Sequence, residues 1–167
     1  VKAMQMLLKS LFTGETKEKP FSFELDLRAT EWNGVKPFGS PVQVDGVLKS
    51  CTEGVHLSAE AVFDLSVPCD RCAETINKKA RYCFEHQLVR ELHDDSNDEY
   101  ILVEDDTISL DKLITDDILL ELPTKNLCKP DCKGLCSMCG TNLNLNSCSC
   151  KTKQIDPRLE ILGQLLD

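Results

Sequence analysis

From Val55 to Val67 every odd position is apolar (Val55, Leu57, Ala59, Ala61, Phe63, Leu65, Val67), while His56, Ser58, Glu60, Asp64 and Ser66 are polar and only Val62 breaks the alternation. Successive side chains of a strand point to opposite faces, so this run predicts one long strand with a buried face and a wet one. A chain that contains it must supply a second apolar layer. Upstream, Val42, Val44 and Leu48 predict a strand that turns at Cys51-Thr52-Glu53-Gly54 into the long one. Downstream, Pro68-Cys69-Asp70-Arg71-Cys72 predicts a turn, and Ala80, Tyr82, Phe84, Leu88 and Leu92 predict a returning strand over 80–92.

Other segments fit around this hairpin. Phe21, Phe23, Leu25 and Leu27 alternate with polar residues as in a half-buried strand, after a polar loop at 13–20, and Asn33-Gly34, Pro37, Gly39 and Pro41 punctuate a loop before the next strand. Met4, Leu7, Leu8 and Leu11 have helical spacing and predict a short amphipathic helix within 1–12, although Met4-Gln5-Met6 would equally begin a strand. Glu91, Asp94, Asp95, Asp98 and Glu99 form an acidic loop, followed by a short apolar strand at Tyr100 to Val103 and by Glu104, Asp105 and Asp106. Without alternating oxygen ligands and a central glycine this is a solvated loop and not a calcium loop. Leu110, Leu113, Ile114 and Ile118 share one helical face, with Ser109 placed to cap, Asp111 in the first turn and Pro123 as the stop. Asp156-Pro157 opens a tail helix bearing Leu159, Leu162 and Leu166.

The predicted fold is α+β. A β-rich antiparallel domain, barrel-like or an open sheet, with one or two helices occupies 1–123, a cysteine-rich zinc lobe 124–153, and the tail helix 154–167. A chain of 167 residues suffices for one sizeable core and a small appended module.

Eight of the ten cysteines fall in couples: Cys69/Cys72, Cys128/Cys132, Cys136/Cys139 and Cys148/Cys150. A two-residue spacer lets a tight turn aim both sulfurs at one ion, and Gly140 lets the backbone fold beneath it. Cys136, Cys139, Cys148 and Cys150, joined by short turn-rich sequence, are expected to form one zinc site. Cys128 and Cys132 are then left to meet Cys69 and Cys72 in a second. The alternative is a single zinc, with Cys69 and Cys72 free or redox-active. A thioredoxin-like role wants the couple at a helix N-terminus, where the dipole lowers the thiol pKa, and here it lies between strands. Four thiolates leave no open position on zinc, so the metal is expected to be structural, with no catalytic residue and no small-molecule substrate. Cys51 and Cys83 are isolated and expected to pack as core or face residues, and His56, His86 and His93 have no partner at ligand spacing.

A net charge of −9 opposes diffuse attraction to nucleic acid, so RNA contact would need a local basic patch or a protein partner. Lys125, Lys129, Lys133, Lys151 and Lys153 flank the sulfurs against Asp131 alone. They can offset thiolate charge or meet RNA phosphate. No apolar run approaches bilayer length and no export signal is evident, which points to the cytoplasm. In such a reducing compartment ligation of metal is favoured over disulfides. Neither a GxGxxG fingerprint, a P-loop nor a nucleophile elbow is present.

Several of these motifs occur together in one family. The run Leu122-Pro123, Leu127-Cys128-Lys129-Pro130-Asp131-Cys132-Lys133-Gly134-Leu135-Cys136-Ser137-Met138-Cys139-Gly140, Asn142-Leu143-Asn144, the Cys148/Cys150 couple and Asp156-Pro157-Arg158-Leu159 resemble the YceD family of bacteria and plastids, as does Pro68-Cys69-x2-Cys72. The resemblance runs from about Phe21 onward. It implies a non-enzymatic role in accumulation of the 23S ribosomal RNA and assembly of the large ribosomal subunit. Expected partners are large-subunit rRNA or a basic ribosomal protein. The rival readings are a direct RNA-binding zinc module and a thiol oxidoreductase using Cys69 and Cys72.

Overall fold

A computed structural model of the chain describes residues 4–91 and 100–150. The chain divides into two compact units, one of Val1–Val67 with Ile76–Thr124 and the other of Pro68–Thr75 with Lys125–Asp167. The tail helix expected over 154–167, His93, Lys151, Lys153 and most of the acidic loop lie outside the described residues.

The first unit is built on a five-stranded sheet ordered β2-β3-β4-β5-β6. Its strands are β2 (Glu18–Leu25), β3 (Val42–Cys51), β4 (Gly54–Pro68), β5 (Thr75–Val89) and β6 (Tyr100–Leu102). The alternating run is indeed one strand, β4: the odd positions from Val55 to Val67 are buried, and Val62 sits with the polar residues on the other face, opposite Gln43 of β3. The turn from β3 closes with Cys51 opposite Gly54, as the sequence predicts. Burying Phe63, Leu57 or Leu65 in this way stabilises the fold by roughly 1.5–3 kcal/mol each.

The sheet is open, with β2 and β6 at its edges. That rules out the barrel-like alternative. It is also mixed, because β6 runs parallel to β5 through Gln87↔Tyr100 and Val89↔Leu102, which corrects the all-antiparallel expectation. Three residues of pairing carry too little periodicity to reveal direction. β2 starts earlier than expected, at Glu18, and takes Pro20 into the strand, which an edge position tolerates. β5 begins at Thr75 and ends at Val89, so the strand expected over 80–92 is displaced toward the cysteine turn. Part of the expected 32–41 loop extends the ladder: Phe38 bridges Leu65, and the Phe38 ring lies 5.1 Å from that of Phe63.

The N-terminal helix expected within 1–12 is split. Gln5–Leu7 form β1, antiparallel to β7 (Thr107–Ser109), and only Lys9–Phe12 are helical, as α1. Pairing with β7 consumes the residues that would have made the first helical turn. Helix α2 (Leu110–Glu121) follows the predicted face, with Leu110, Ile114 and Ile118 buried in the same apolar core as the sheet. Ser109 stands at its cap position but makes no side-chain capping bond. Among the described residues no helix is long and apolar enough to cross a membrane.

Candidate metal centre

The second unit gathers all four cysteine couples. Cys69, Cys72, Cys128 and Cys132 form one tetrad and Cys136, Cys139, Cys148 and Cys150 another, with the four sulfurs of each within 4.8 Å of one another.

Two turns present the CxxC couples, and they share one hydrogen-bond pattern. In the first, the amide of Cys69 donates to the carbonyl of Glu74 at 2.8 Å and the amide of Ala73 donates back to that of Cys69 at 2.9 Å. In the second, Cys136 donates to Thr141 at 2.8 Å and Gly140 to Cys136 at 2.8 Å. The residue after the second cysteine is left-handed in both, with φ of 58° at Ala73 and 72° at Gly140. The second turn tips a small hairpin in which Leu135 bridges Asn142. The first connects β4 to β5, so both couples sit at a strand-to-strand turn and neither opens a helix.

The sulfur spacing suits zinc. Tetrahedral thiolate coordination at about 2.3 Å places neighbouring sulfurs about 3.8 Å apart. The Cys69–Cys132 and Cys72–Cys128 sulfurs are 3.8 and 3.6 Å apart. None of the ten cysteines is in a disulfide. Cys69, Cys72, Cys132 and Cys136 are buried.

The electrostatics favour a bound cation. Burial pushes the Cys69 thiol up, yet the amides of Cys128, Arg71 and Cys72 aimed at its sulfur outweigh this and bring it down to about 6. Cys132 is likewise raised by burial but lowered on balance by the Asn144 side chain and the Gly134 amide. The Thr141 hydroxyl, 3.1 Å away, and the Thr141 amide hold Cys139 down at about 6. The price of those thiolates falls on their neighbours. Burial, then bonding to Cys132, pushes Cys128 up to about 12, and bonding to Cys139, then burial, does the same to Cys150. Four sulfurs this close cannot all ionise alone, whereas a dication lets them do so. With four cysteine sulfurs as donors, each tetrad could hold a metal ion and is compatible with zinc.

Neighbouring groups hold the two sites. The Arg71 guanidinium donates to the Cys132 carbonyl at 2.8 Å, and the Arg71 carbonyl accepts from Leu135 at 3.0 Å. Asn144 donates from Nδ2 to the Cys132 sulfur at 3.2 Å. Sequence reading missed Asp70, Arg71, Ala73, Thr141 and Asn144 as supports. The Asn142-Leu143-Asn144 motif was the available signal for the last.

Of the remaining candidates, Cys51 and Cys83 are exposed, which excludes the core alternative for them. His56 is half-buried on β4, and His86 is held by Asp117 at 2.8 Å. Lys125, Lys129 and Lys133 are exposed, and among the described residues none forms an ion pair.

Comparison with known proteins places this geometry in context. Residues 57–166 match the family model described as large ribosomal RNA subunit accumulation protein YceD. The chain is similar to an uncharacterized protein of Mycobacterium tuberculosis, 30% identical over 134 residues, covering 77% of this chain and 63% of that relative. It thus spans less than two thirds of the mycobacterial relatives' length. It is also 30% identical over 134 residues to the uncharacterized protein YlbN of Bacillus subtilis, covering 76% of this chain and 75% of the relative. A shorter stretch of 52 residues is 46% identical to a chloroplastic protein of Zea mays named as a large ribosomal RNA subunit accumulation protein YCED homolog, covering 30% of this chain and 18% of that one. No solved structure matches the chain significantly.

Proposed function

The chain belongs to the YceD family, and from that premise we propose that it is a non-enzymatic factor supporting accumulation of 23S rRNA and assembly of the large ribosomal subunit. The family match carries this reading. Both tetrads then hold zinc as a structural ion, fixing a lobe that has little apolar core of its own. Supporting the non-enzymatic part, each tetrad fills all four ligand positions with sulfur. The oxidoreductase alternative is disfavoured because Cys69 and Cys72 are buried in a strand-to-strand turn, beside two further sulfurs.

All of the net negative charge lies in the first unit, the second being slightly positive, which suits docking of a basic ribosomal protein. A second reading, direct RNA contact by the second unit, is favoured by the exposed Lys125, Lys129 and Lys133. Depletion of the protein is expected to lower 23S rRNA and raise its precursors while the small subunit stays normal. Unchanged 23S levels would count against the proposal. Titrating rRNA fragments at several salt concentrations separates the two modes, since direct phosphate contact weakens steeply with salt.

A further inference from the structure

Asn144 lies on the loop between Cys139 and Cys148 of one tetrad, yet its Nδ2 donates to the sulfur of Cys132 in the other at 3.2 Å. Its Oδ1 accepts the amide of Lys133 at 2.9 Å, so one carboxamide grips Cys132 at its sulfur and at the backbone that follows. Asn144 is itself held from the second tetrad's side. Oδ1 of Asn142 accepts its amide at 3.0 Å and its Nδ2 at 2.9 Å, and Asn142 belongs to the hairpin that carries Cys136 and Cys139.

We propose that the two tetrads bind metal cooperatively, with Asn144 as the positioning residue that carries the coupling. This rests on the reading of both tetrads as metal sites. Closing the loop ends at Cys139 and Cys148 on one ion removes most of the freedom that Asn144 would otherwise lose in reaching Cys132. Metal in the second tetrad thus places an N–H donor on a thiolate ligand of the first, offsetting part of its charge. Metal in the first tetrad fixes the acceptor in return, and the coupling is reciprocal. Arg71 gives the same lobe a rigid seam, through its bonds to Cys132 and Leu135.

The test titrates the metal-stripped full chain with cobalt(II), read by sulfur-to-metal charge-transfer absorption. C148S/C150S leaves only the first tetrad and C69S/C72S only the second. The first tetrad is expected to bind about tenfold more weakly in C148S/C150S than in the unaltered chain. Asn144→Asp keeps the acceptor for Lys133 but replaces the donor facing Cys132 with a carboxylate oxygen. In the full chain it should lower first-tetrad affinity by about the same factor, and in C69S/C72S it should leave the second tetrad unchanged. Asn144→Ala, which adds no charge, should show the same split. Equal first-tetrad affinity with and without the second site would overturn the coupling, as would a loss of second-tetrad affinity when either Asn144 substitution is added to C69S/C72S. If the unaltered chain gives no charge-transfer band, the metal reading itself fails, a result distinct from two sites that load independently.

Discussion

The amide of Asn126 donates to Oδ2 of Asp70 at 2.6 Å, and the amide of Asp70 donates back to the Asn126 carbonyl at 2.8 Å, joining residues 56 positions apart. This two-way clamp sets the turn of Cys69 and Cys72 against the segment of Cys128 and Cys132. Losing one charge-assisted bond costs about 1.5 kcal/mol where it is partly sheltered. Asp70→Ala is therefore expected to speed zinc loss from the first tetrad to a chelator about tenfold, and Asp70→Asn, which keeps an acceptor, considerably less. Chelator-driven release followed with a zinc-sensitive dye checks this, and equal rates for all three proteins would contradict it.

Zinc content tests the partition of the sulfurs. Purified protein should hold two zinc ions, C69S/C72S and C148S/C150S one each, and C51S/C83S still two, as counted by elemental analysis. Because Cys51 and Cys83 are exposed and outside both tetrads, they should be the fast-reacting thiols of the zinc-loaded chain. Eight slow thiols should join them on chelation. Fast loss of further thiols with zinc still bound would break the assignment.

How far the sequence could be read depends on how each feature encodes itself. The alternation of β4 is long enough to fix a strand and its buried face, and α2 declares itself through Leu110, Ile114 and Ile118 at helical spacing. The cysteine grouping is legible because ligand spacing is a covalent constraint on short loops. β1 and β7 have three residues each, shorter than any period can establish, and their pairing joins positions about a hundred residues apart. Ala73 was invisible for a different reason. Alanine has no preference for left-handed backbone, and the bond from its amide to the Cys69 carbonyl imposes it.

That last point is testable by exchange between the two matching turns. A left-handed alanine costs about 1 kcal/mol, and glycine in its place gives back part of the gain through a freer unfolded chain. Ala73→Gly is thus expected to be neutral to stabilising, by up to about 1 kcal/mol. Gly140→Ala should destabilise by about 1 kcal/mol, since an added Cβ there meets nothing within 4 Å and the loss is purely conformational. Thermal unfolding of the zinc-loaded proteins measures both, and a destabilising Ala73→Gly would show that the turn is set by something else.

Gly46 offers a sharper case in the sheet. A Cβ at this position would run into the Phe21 ring and come within 2.6 Å of the Ser58 carbonyl oxygen, so a backbone strand and a buried aromatic would both have to move. Overpacking of this kind costs about 3 kcal/mol. Gly39→Ala, whose Cβ would stand 3.2 Å from the Asp64 carbonyl near the strand end, should cost far less. Denaturant unfolding of the two variants should rank them in that order.

Proton release gives the metal reading its strictest check. At pH 7 Cys69 and Cys139, each held at about 6, are largely thiolate. Cys128 and Cys150, at about 12, and Cys72 and Cys148, both raised above the ordinary 9.0, carry protons. Zinc must therefore displace at least the protons of Cys72 and Cys128 at one tetrad, and those of Cys148 and Cys150 at the other. Calorimetry in buffers of different ionisation enthalpy should read about two or more protons per zinc at pH 7, and a larger number as the pH falls through 6 and the low-lying thiols are protonated as well. Protons and zinc compete for the same sulfur lone pairs, so zinc-linked stability is full at high pH and lost on acidification. Its slope should be at least about hundredfold in affinity per pH unit near 7 and steepen further below 6. An affinity that stays flat over this range would mean that thiolates are not the ligands.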